Sequence, residues 1–577
     1  MQNYEVNSIS VNNLLSNVDE GLIAIPEIQR PFVWSSAQVR DLIDSLYKGY
    51  PIGYIVTWKN ADTRLKDGSM SEGKKILIDG QQRITALAAA LKGRKVFNNL
   101  YRYTKIKIAF NPIEEKFEVF NSAISRSEAW IDDISSLFAD GFSDFKFVNE
   151  YALKNDIEPD KIFPRIKQLT GIVNNMVGVI DLPSKIDIDV VTEIFLRINS
   201  KGIQLSSADF AMSKIASNTD YDGPNIRKAM DYFCHLLERP QDYENIKEND
   251  EEFQKSEYFN HITWIKDQQS VFQPQYKDVL RIVFGYKFKR GRLKDFVQLL
   301  SGRNFEERTY EEEIVESSFK LLKEGIMDFT NQHNFKTYLN RLETIGMIRN
   351  NFIQSKNVLN FGYILFLTLK AKGIDSNLRD RCVERWLVLS LLTNRYSGSS
   401  ETTFQNDINS FNNVDHPRTF IGNVEKAELS DSFWDVSFID RLGTSHTPTF
   451  YIFLMAQITN EDKGFLSSEK VGSMLRNTGD IHHIFPKSYL SKNGLNRKQY
   501  NQIANYAMVN KETNIKVGNK PPSDYLKLFE GSEQNYEENA IPESIESMTL
   551  DDYNDFLDIR RVLMSKKIKS YYESFKL

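Results

Sequence analysis

Cysteine is nearly absent, with only Cys234 and Cys382 in 577 residues. Two thiols cannot build a disulfide framework, and they fit a reducing, cytoplasmic setting. Long apolar runs are missing too. Nothing approaches the ~20 residues that span a bilayer, and WLVLSLL at 386–392 reads as a stretch of buried helix. No membrane partner is therefore expected. The opening MQNYEVNSIS lacks the charged and apolar regions of a secretory leader. There is no internal repeat and no low-complexity tract. An excess of basic charge is also lacking. The net charge is −5, which excludes a chain that coats nucleic acid over its whole surface. Any contact with DNA must be local.

What remains is an ordinary globular composition, with 41% apolar and 26% charged residues. The length suggests two to four domains, and the texture changes twice. Residues 1–215 mix short strands with helices. Ser35-Ser36-Ala37-Gln38 is a capping box ahead of a helix that buries Val39, Leu42, Ile43 and Leu46. PIGYIVTW (51–58) reads as a strand. KIKIAF (105–110), the turn NPIEE and KFEVF (116–120) read as a hairpin. Residues 216–440 read as mostly helix, as the spacing of Ile314, Leu321, Leu322 and Ile326 illustrates. The many Phe and Tyr residues there read as helix-packing core. The acidic run from Glu248 to Glu252 reads as an exposed loop. Residues 441–577 carry a basic stretch and close with a basic helix through Arg560, Arg561, Lys566 and Lys567.

The basic stretch holds the sharpest signal. From Ile481 to Lys527, eight Lys or Arg face two acids, a net +6 over 47 residues. Inside it, two of the seven histidines stand side by side in GDIHHIFPKSYL (479–490), followed by NQIANYAMVNKETNIKVGNKPPSDYL (501–526). Phosphodiester hydrolysis needs a base to deprotonate water and a cation to offset charge on phosphate. Adjacent strand residues point to opposite faces, so a bulge is expected if both imidazoles serve one site. One His would bind metal and the next would act as base. Asn505 would brace the base, and Asn514 would return on a helix toward the metal. Pro486 would end the strand. No Cys lies nearby, which disfavours a structural zinc site.

These segments resemble the HNH, or ββα-metal, nucleases. The resemblance implies that His483 is the general base, His482 the first metal ligand, Asn505 the residue orienting the base and Asn514 the last ligand. Many members carry Asp or Glu where His482 stands. A neutral ligand weakens hard-cation binding, and Asp480 would compensate. Lys487, Lys516 and Lys520 would hold DNA phosphates. The expected ion is Mg²⁺ or Mn²⁺.

A second signal lies upstream. Ile76-Leu77-Ile78-Asp79-Gly80-Gln81-Gln82-Arg83 runs from strand, through a tight turn, into a helix with Ile84, Leu87 and Leu91 on one face. Gly80 permits a sharp turn. Free N–H groups at the helix start favour an anion, and Arg83 offers a forked phosphate donor. A structural Asp79–Arg83 pair explains the same residues equally well. IPEIQRPFVW (25–34), IDGQQR and EIFLRINSKGIQLSSADF (193–210) in this order resemble the DGQQR family. That family has a ParB/sulfiredoxin-like fold and includes the N-terminal halves of GmrSD/BrxU/SspE-like restriction proteins. RYSGSSETTF (395–404) resembles a further shared segment. The resemblance implies nucleotide binding, of ATP or GTP, and its hydrolysis at Asp79, Gly80, Gln81, Gln82 and Arg83. Gln29 and Arg30 would stand beside them, and the Asn199–Gly202 turn would line the same pocket.

The expected architecture is α+β and multidomain. It comprises a ParB/sulfiredoxin-like α/β domain (1–215), a helical linking domain (216–440) and a ββα-metal nuclease domain (441–577). The expected activity is nucleotide-regulated cleavage of modified or phage-derived DNA. One such centre cuts one strand, so a double break requires a homo-oligomer or two successive nicks. The alternative is a nucleotide-binding regulatory or DNA-binding protein with a degenerate HNH region.

Overall fold

The computed structural model describes residues 4–24, 32–59, 75–98, 101–183, 186, 206–397, 400–445, 447–477 and 479–577. The chain is α+β, with many helices and small sheets. It divides into two compact units. The first is Met1–Tyr232 with Arg239–Asn260 and Val297–Phe319, and the second is Phe233–Glu238, His261–Phe296 and Lys320–Leu577. Helices from 216–440 are thus shared between both units.

The first unit is organised around a five-stranded mixed sheet. Its strands are β1 (Glu5–Ser10), β2 (Ile23–Ala24), β3 (Tyr54–Lys59), β4 (Lys75–Asp79) and, later in the chain, β9 (Met176–Leu182), in the order β1-β9-β3-β4-β2. β3 runs parallel to β9 and antiparallel to β4. Helix α1 (Val11–Asp19) follows β1, α2 (Ser36–Tyr47) precedes β3, and α3 (Gln81–Lys92) follows β4. α2 starts at the expected capping box, with Ser35 and Gln38 bonding reciprocally, and buries Val39, Leu42, Ile43 and Leu46. α3 buries Ile84, Leu87 and Leu91 together with its alanines.

Two further hairpins lie between α3 and β9. One pairs β5 (Lys95–Phe97) with β6 (Tyr103–Lys105). The other pairs β7 (Ile108–Asn111) with β8 (Lys116–Val119) through the expected turn. Phe110 and Phe117 meet across the second, with ring centroids 4.5 Å apart. Tyr47 of α2 packs on both rings. Helices α4 (Asp144–Asn155) and α5 (Pro159–Gly171) complete this core.

The acidic run at 248–252 is not a loop. It joins helix Tyr243–Asn249 to helix Glu251–Gln254. Asp250 caps the second helix and also accepts from Tyr232 Oη at 2.6 Å and pairs with Lys228 at 2.9 Å. A carboxylate with three donors is a joint between helices, not a solvated linker.

In the second unit the aromatics are core, as composition suggested. Phe233, Phe329, Phe335, Tyr338 and Tyr363 are fully buried and in mutual ring contact. Near the C-terminus a two-stranded antiparallel ribbon, β10 (Asp480–His483) with β11 (Tyr506–Val509), leads into α6 (Lys511–Val517). The chain closes with the long helix α7 (Tyr553–Ser574).

Candidate functional site

The C-terminal site is built on the β10–β11–α6 sequence of elements. Four residue pairs align in unbroken register, with His482 opposite Ala507 and His483 opposite Tyr506. No bulge interrupts the pairing, contrary to expectation. The two imidazoles therefore leave a regular strand on opposite faces. They remain close enough that His483 acts on the charge state of His482.

His482 is buried, and its Nε2 has no hydrogen-bond partner. Burial, and secondarily the neighbouring His483, push its pKa down to about 4, while Asn514 opposes them weakly as a hydrogen-bonding neighbour. The ring is therefore neutral near pH 7, with an unused lone pair. A buried polar atom without a partner is costly, and a divalent ion is one partner that would satisfy it. Asn514 reaches this ring from α6. That helix is fixed by Asn510, whose side chain caps it by accepting from Thr513 N at 2.8 Å. Asp480 lies on the same strand face as His482 and is exposed. Among the described residues no three His, Cys, Asp or Glu side chains converge. The donors that fit an ion here are an imidazole, a carboxamide and a carboxylate on the strand face.

His483 is half-buried, and its pKa is lowered by burial and by the Lys487 charge, with a bond to Asn501 opposing. Its Nε2 lies 2.9 Å from Asn501 Oδ1. Tyr506 meets the ring edge-on at 5.0 Å. Asn505, expected to orient the base, does not touch it. Its Oδ1 accepts from Phe485 N at 2.8 Å, and its Nδ2 donates to Phe485 O and Tyr500 O at 3.1 and 3.3 Å. It braces the turn that follows His483, through the backbone of Phe485 and Tyr500. Asn501 was missed because nothing in its local sequence distinguishes it from the seven other Asn between 477 and 519.

The surrounding frame explains other motif residues. Tyr525, from the PPSDYL segment, is fully buried and donates to Ile484 O at 2.9 Å, tying down the exit of β10. Pro486 is buried at the start of helix Lys487–Lys492. Arg560 of α7 is fully buried and donates to Ala504 O at 2.7 Å and Asn539 O at 3.1 Å. Arg561 bonds Asp558 and Gln502, and Lys567 bonds Asp462. Three of the four cations noted on the last helix thus serve the fold. By contrast, all eight Lys and Arg between 481 and 527 are exposed. Among the described ion pairs only Lys527 of these has a carboxylate partner, Asp524 at 3.9 Å.

The N-terminal site lies at the end of β4. Gly80 has φ +103°, a backbone conformation that calls for glycine, and a Cβ there would meet Ile55 Cδ1 at 2.4 Å and displace that side chain. The bulge expected near the histidines is found here instead. β3 shifts register between Val56 and Thr57, and Val56 is the partner of Asp79. Gly80 offers no side chain to cap α3, so the first N–H groups of that helix carry no side-chain cap. Arg83 is not idle: it pairs with Asp79 at 3.8 Å and donates to Tyr54 O. Gly53 leaves room for its guanidinium, whose Cζ lies 3.4 Å from where a Cβ would be. Gln82 Oε1 accepts from Val33 N at 3.1 Å, and Gln81 is half-buried at the helix start. Gln29, Arg30 and the Asn199–Gly202 turn lie outside the described residues.

Comparison with known proteins adds two findings. Residues 11–216 match the family model described as the GmrSD restriction endonuclease N-terminal domain. The match covers the N-terminal part of the chain alone, 206 of its 577 residues. The chain is also 20% identical over 559 residues to the uncharacterized protein MJ0686 of Methanocaldococcus jannaschii, covering 89% of this chain and 86% of that protein. Among the described residues no helix is long and apolar enough to cross a membrane.

Proposed function

We propose that this chain is a nucleotide-regulated, metal-dependent DNA endonuclease of the modification-dependent restriction kind, directed at phage DNA in the cytoplasm. The observation that carries the reading is the β10–β11–α6 site. It puts a neutral, buried, unpartnered imidazole nitrogen on His482 beside Asn514, next to a second imidazole, within a run of exposed cations of which only Lys527 has a carboxylate partner among the described ion pairs. In this reading residues 441–577 form the ββα-metal domain, 1–215 the ParB/sulfiredoxin-like domain, and 216–440 the helical link.

His482 and Asn514, with Asp480, would hold Mg²⁺ or Mn²⁺. The ion would supply positive charge to the scissile phosphate and to the departing 3′ oxygen. His483 takes a proton from the attacking water. Asn505 keeps the turn after the base in place. Lys487, Lys516 and Lys520 hold phosphates on either side. At the other site, the α3 N-terminus and Arg83 would bind the phosphates of ATP or GTP, and Asp79 would orient water or a Mg²⁺ ion. Gln81, Gln82, Gln29 and Arg30 would complete that site, and its turnover would gate access to DNA. A double-strand break would come from two copies or from two successive nicks.

A nicking assay tests the reading, using supercoiled plasmid, modified phage DNA, and Mg²⁺ or Mn²⁺. Wild type should nick. His483→Ala should lose on the order of 10²–10⁴-fold, the usual cost of removing a general base. His482→Ala should be partly rescued by more concentrated or different divalent ions, whereas His483→Ala should not. Equal, metal-independent losses with altered circular dichroism would make the histidine pair structural. DNA binding without any nicking would favour the degenerate, DNA-binding alternative.

A further inference from the structure

We infer that Asn501 is the positioning residue of the nuclease site, and that its side-chain oxygen holds the His483 proton on Nε2 and leaves Nδ1 as the proton acceptor. The inference rests on the nuclease reading of His483.

A neutral imidazole carries one N–H and one lone pair, and the bond made by one nitrogen decides the role of the other. A carboxamide oxygen can only accept. Asn501 Oδ1 stands 2.9 Å from His483 Nε2, so Nε2 must be the donor and Nδ1 the free base. The ring has little freedom to turn. Tyr506 abuts it at 5.0 Å and Tyr500 at 6.3 Å, both edge-on.

Asn501 is itself held in place. Its backbone N–H donates to Arg497 O at 3.1 Å, closing the short helix Arg497–Tyr500, which begins in an Asn496–Gln499 capping box. The carbonyl of the preceding residue, Tyr500, accepts from Asn505 Nδ2. Asn505 therefore reaches the base in relay, by fixing Tyr500 and so Asn501. Asn505 makes no bond to the imidazole: its Nδ2 donates to Phe485 O and Tyr500 O, and its Oδ1 accepts from Phe485 N.

The proton accounting is simple. Nδ1 takes one proton from water as the water oxygen bonds to phosphorus. The bond from phosphorus to the 3′ oxygen breaks, and that oxygen collects a proton from solvent. The ring becomes an imidazolium, and the Nε2–H to Oδ1 bond becomes charge-assisted and stronger. Asn501 thus favours the charged product of proton transfer over the neutral ring, as a positioning residue should.

Two measurements on the full-length protein test this. The first is tautomer state by long-range ¹H–¹⁵N correlation of histidine-labelled protein near neutral pH, with His483 assigned from its loss in His483→Gln. Wild type should show a protonated Nε2 and a bare Nδ1, and Asn501→Ala should mix the two tautomers. A wild-type His483 protonated on Nδ1 would overturn the inference whether or not the protein cuts DNA. The second is the nicking rate. Asn501→Ala should lower kcat by on the order of 10–100-fold, as loss of a bond that orients a site histidine does, with KM for DNA unmoved. Asn501→Asp keeps an acceptor oxygen in place and should retain most of the rate. Equal losses in both variants, or a change confined to KM, would remove Asn501 from this role. Failure of wild type to nick under any condition would sink the nuclease reading and leave the tautomer result to judge Asn501.

Discussion

Arg83 shows how one side chain can brace the fold at a proposed ligand site. Its guanidinium braces the end of β4 through Asp79 and Tyr54 O, yet it lies in the first turn of a helix whose N-cap residue, Gly80, gives no side-chain cap. Water or a ligand is among the partners that satisfy the first N–H groups of such a helix. If the ligand is a nucleotide phosphate, Arg83→Ala should weaken ATP or GTP binding by roughly 1.5–3 kcal/mol, the range for bonds to charged groups. Calorimetric titration measures this, and a thermal melt run beside it separates the two duties. A lowered melting temperature with unchanged affinity would leave only the structural brace. Arg395 is the contrasting case. It pairs with Asp407 through two nitrogens, Tyr396 Oη donates to the same carboxylate at 2.9 Å, and Phe404 is buried beside them. Arg395 and Tyr396 of RYSGSSETTF thus form a polar knot around buried Asp407, which the segment's sequence did not disclose because Asp407 lies beyond it.

At the scale of elements, the central sheet is pinned by a charge. Asp181 on β9 is buried and accepts from Thr57 at 2.5 Å, Lys75 at 2.7 Å and Asn7 at 2.9 Å, joining β9 to β3, β4 and β1. Burial raises its pKa, but the Lys75, Thr57 and Asn7 bonds outweigh that and hold it below the usual carboxylate range. A depressed folded-state pKa adds stability above the unfolded value of about 4, and that stability is lost as pH falls through the folded value. Asp181→Asn should therefore cost roughly 1–3 kcal/mol at neutral pH, and the gap from wild type should close in acid, below about pH 4. Urea melts at several pH values check this. A gap independent of pH would mean that the carboxylate charge contributes nothing. Features set by near neighbours in sequence were legible in advance, namely the Ser35–Gln38 box, the 108–119 hairpin and the strand–glycine–helix turn at Gly80. Features set by distant partners were not. The bulge at Val56 and Thr57, the Asn501 bond to His483 and the Arg560 brace on Ala504 each depend on residues brought together by folding. Periodicity records which face a residue occupies, but not what it meets there.

At the scale of the whole molecule, charge is segregated. A net +6 over residues 481–527 leaves −11 for the rest of the chain, so the acidic remainder repels a phosphate backbone while this stretch attracts it. The cations of this stretch are exposed, and Lys487, Lys516 and Lys520 have no carboxylate partner among the described ion pairs. Such groups have no carboxylate to neutralise among those ion pairs and are free to displace counterions from DNA. Each phosphate they neutralise contributes about −0.9 to the slope of log affinity against log salt for duplex DNA. In a His483→Ala background, chosen because the proposed mechanism loses its base there, the combined Lys487→Ala, Lys516→Ala and Lys520→Ala variant should flatten that slope by roughly 2–3. Fluorescence anisotropy across a salt series, without divalent ions, gives the number. The loss should be uniform across DNA sequences, because phosphate contacts position the duplex without reading it. A flattened slope that varied with sequence would place these lysines on base edges. An unchanged slope would put the DNA-binding surface elsewhere on the chain and detach the histidine pair from its proposed substrate.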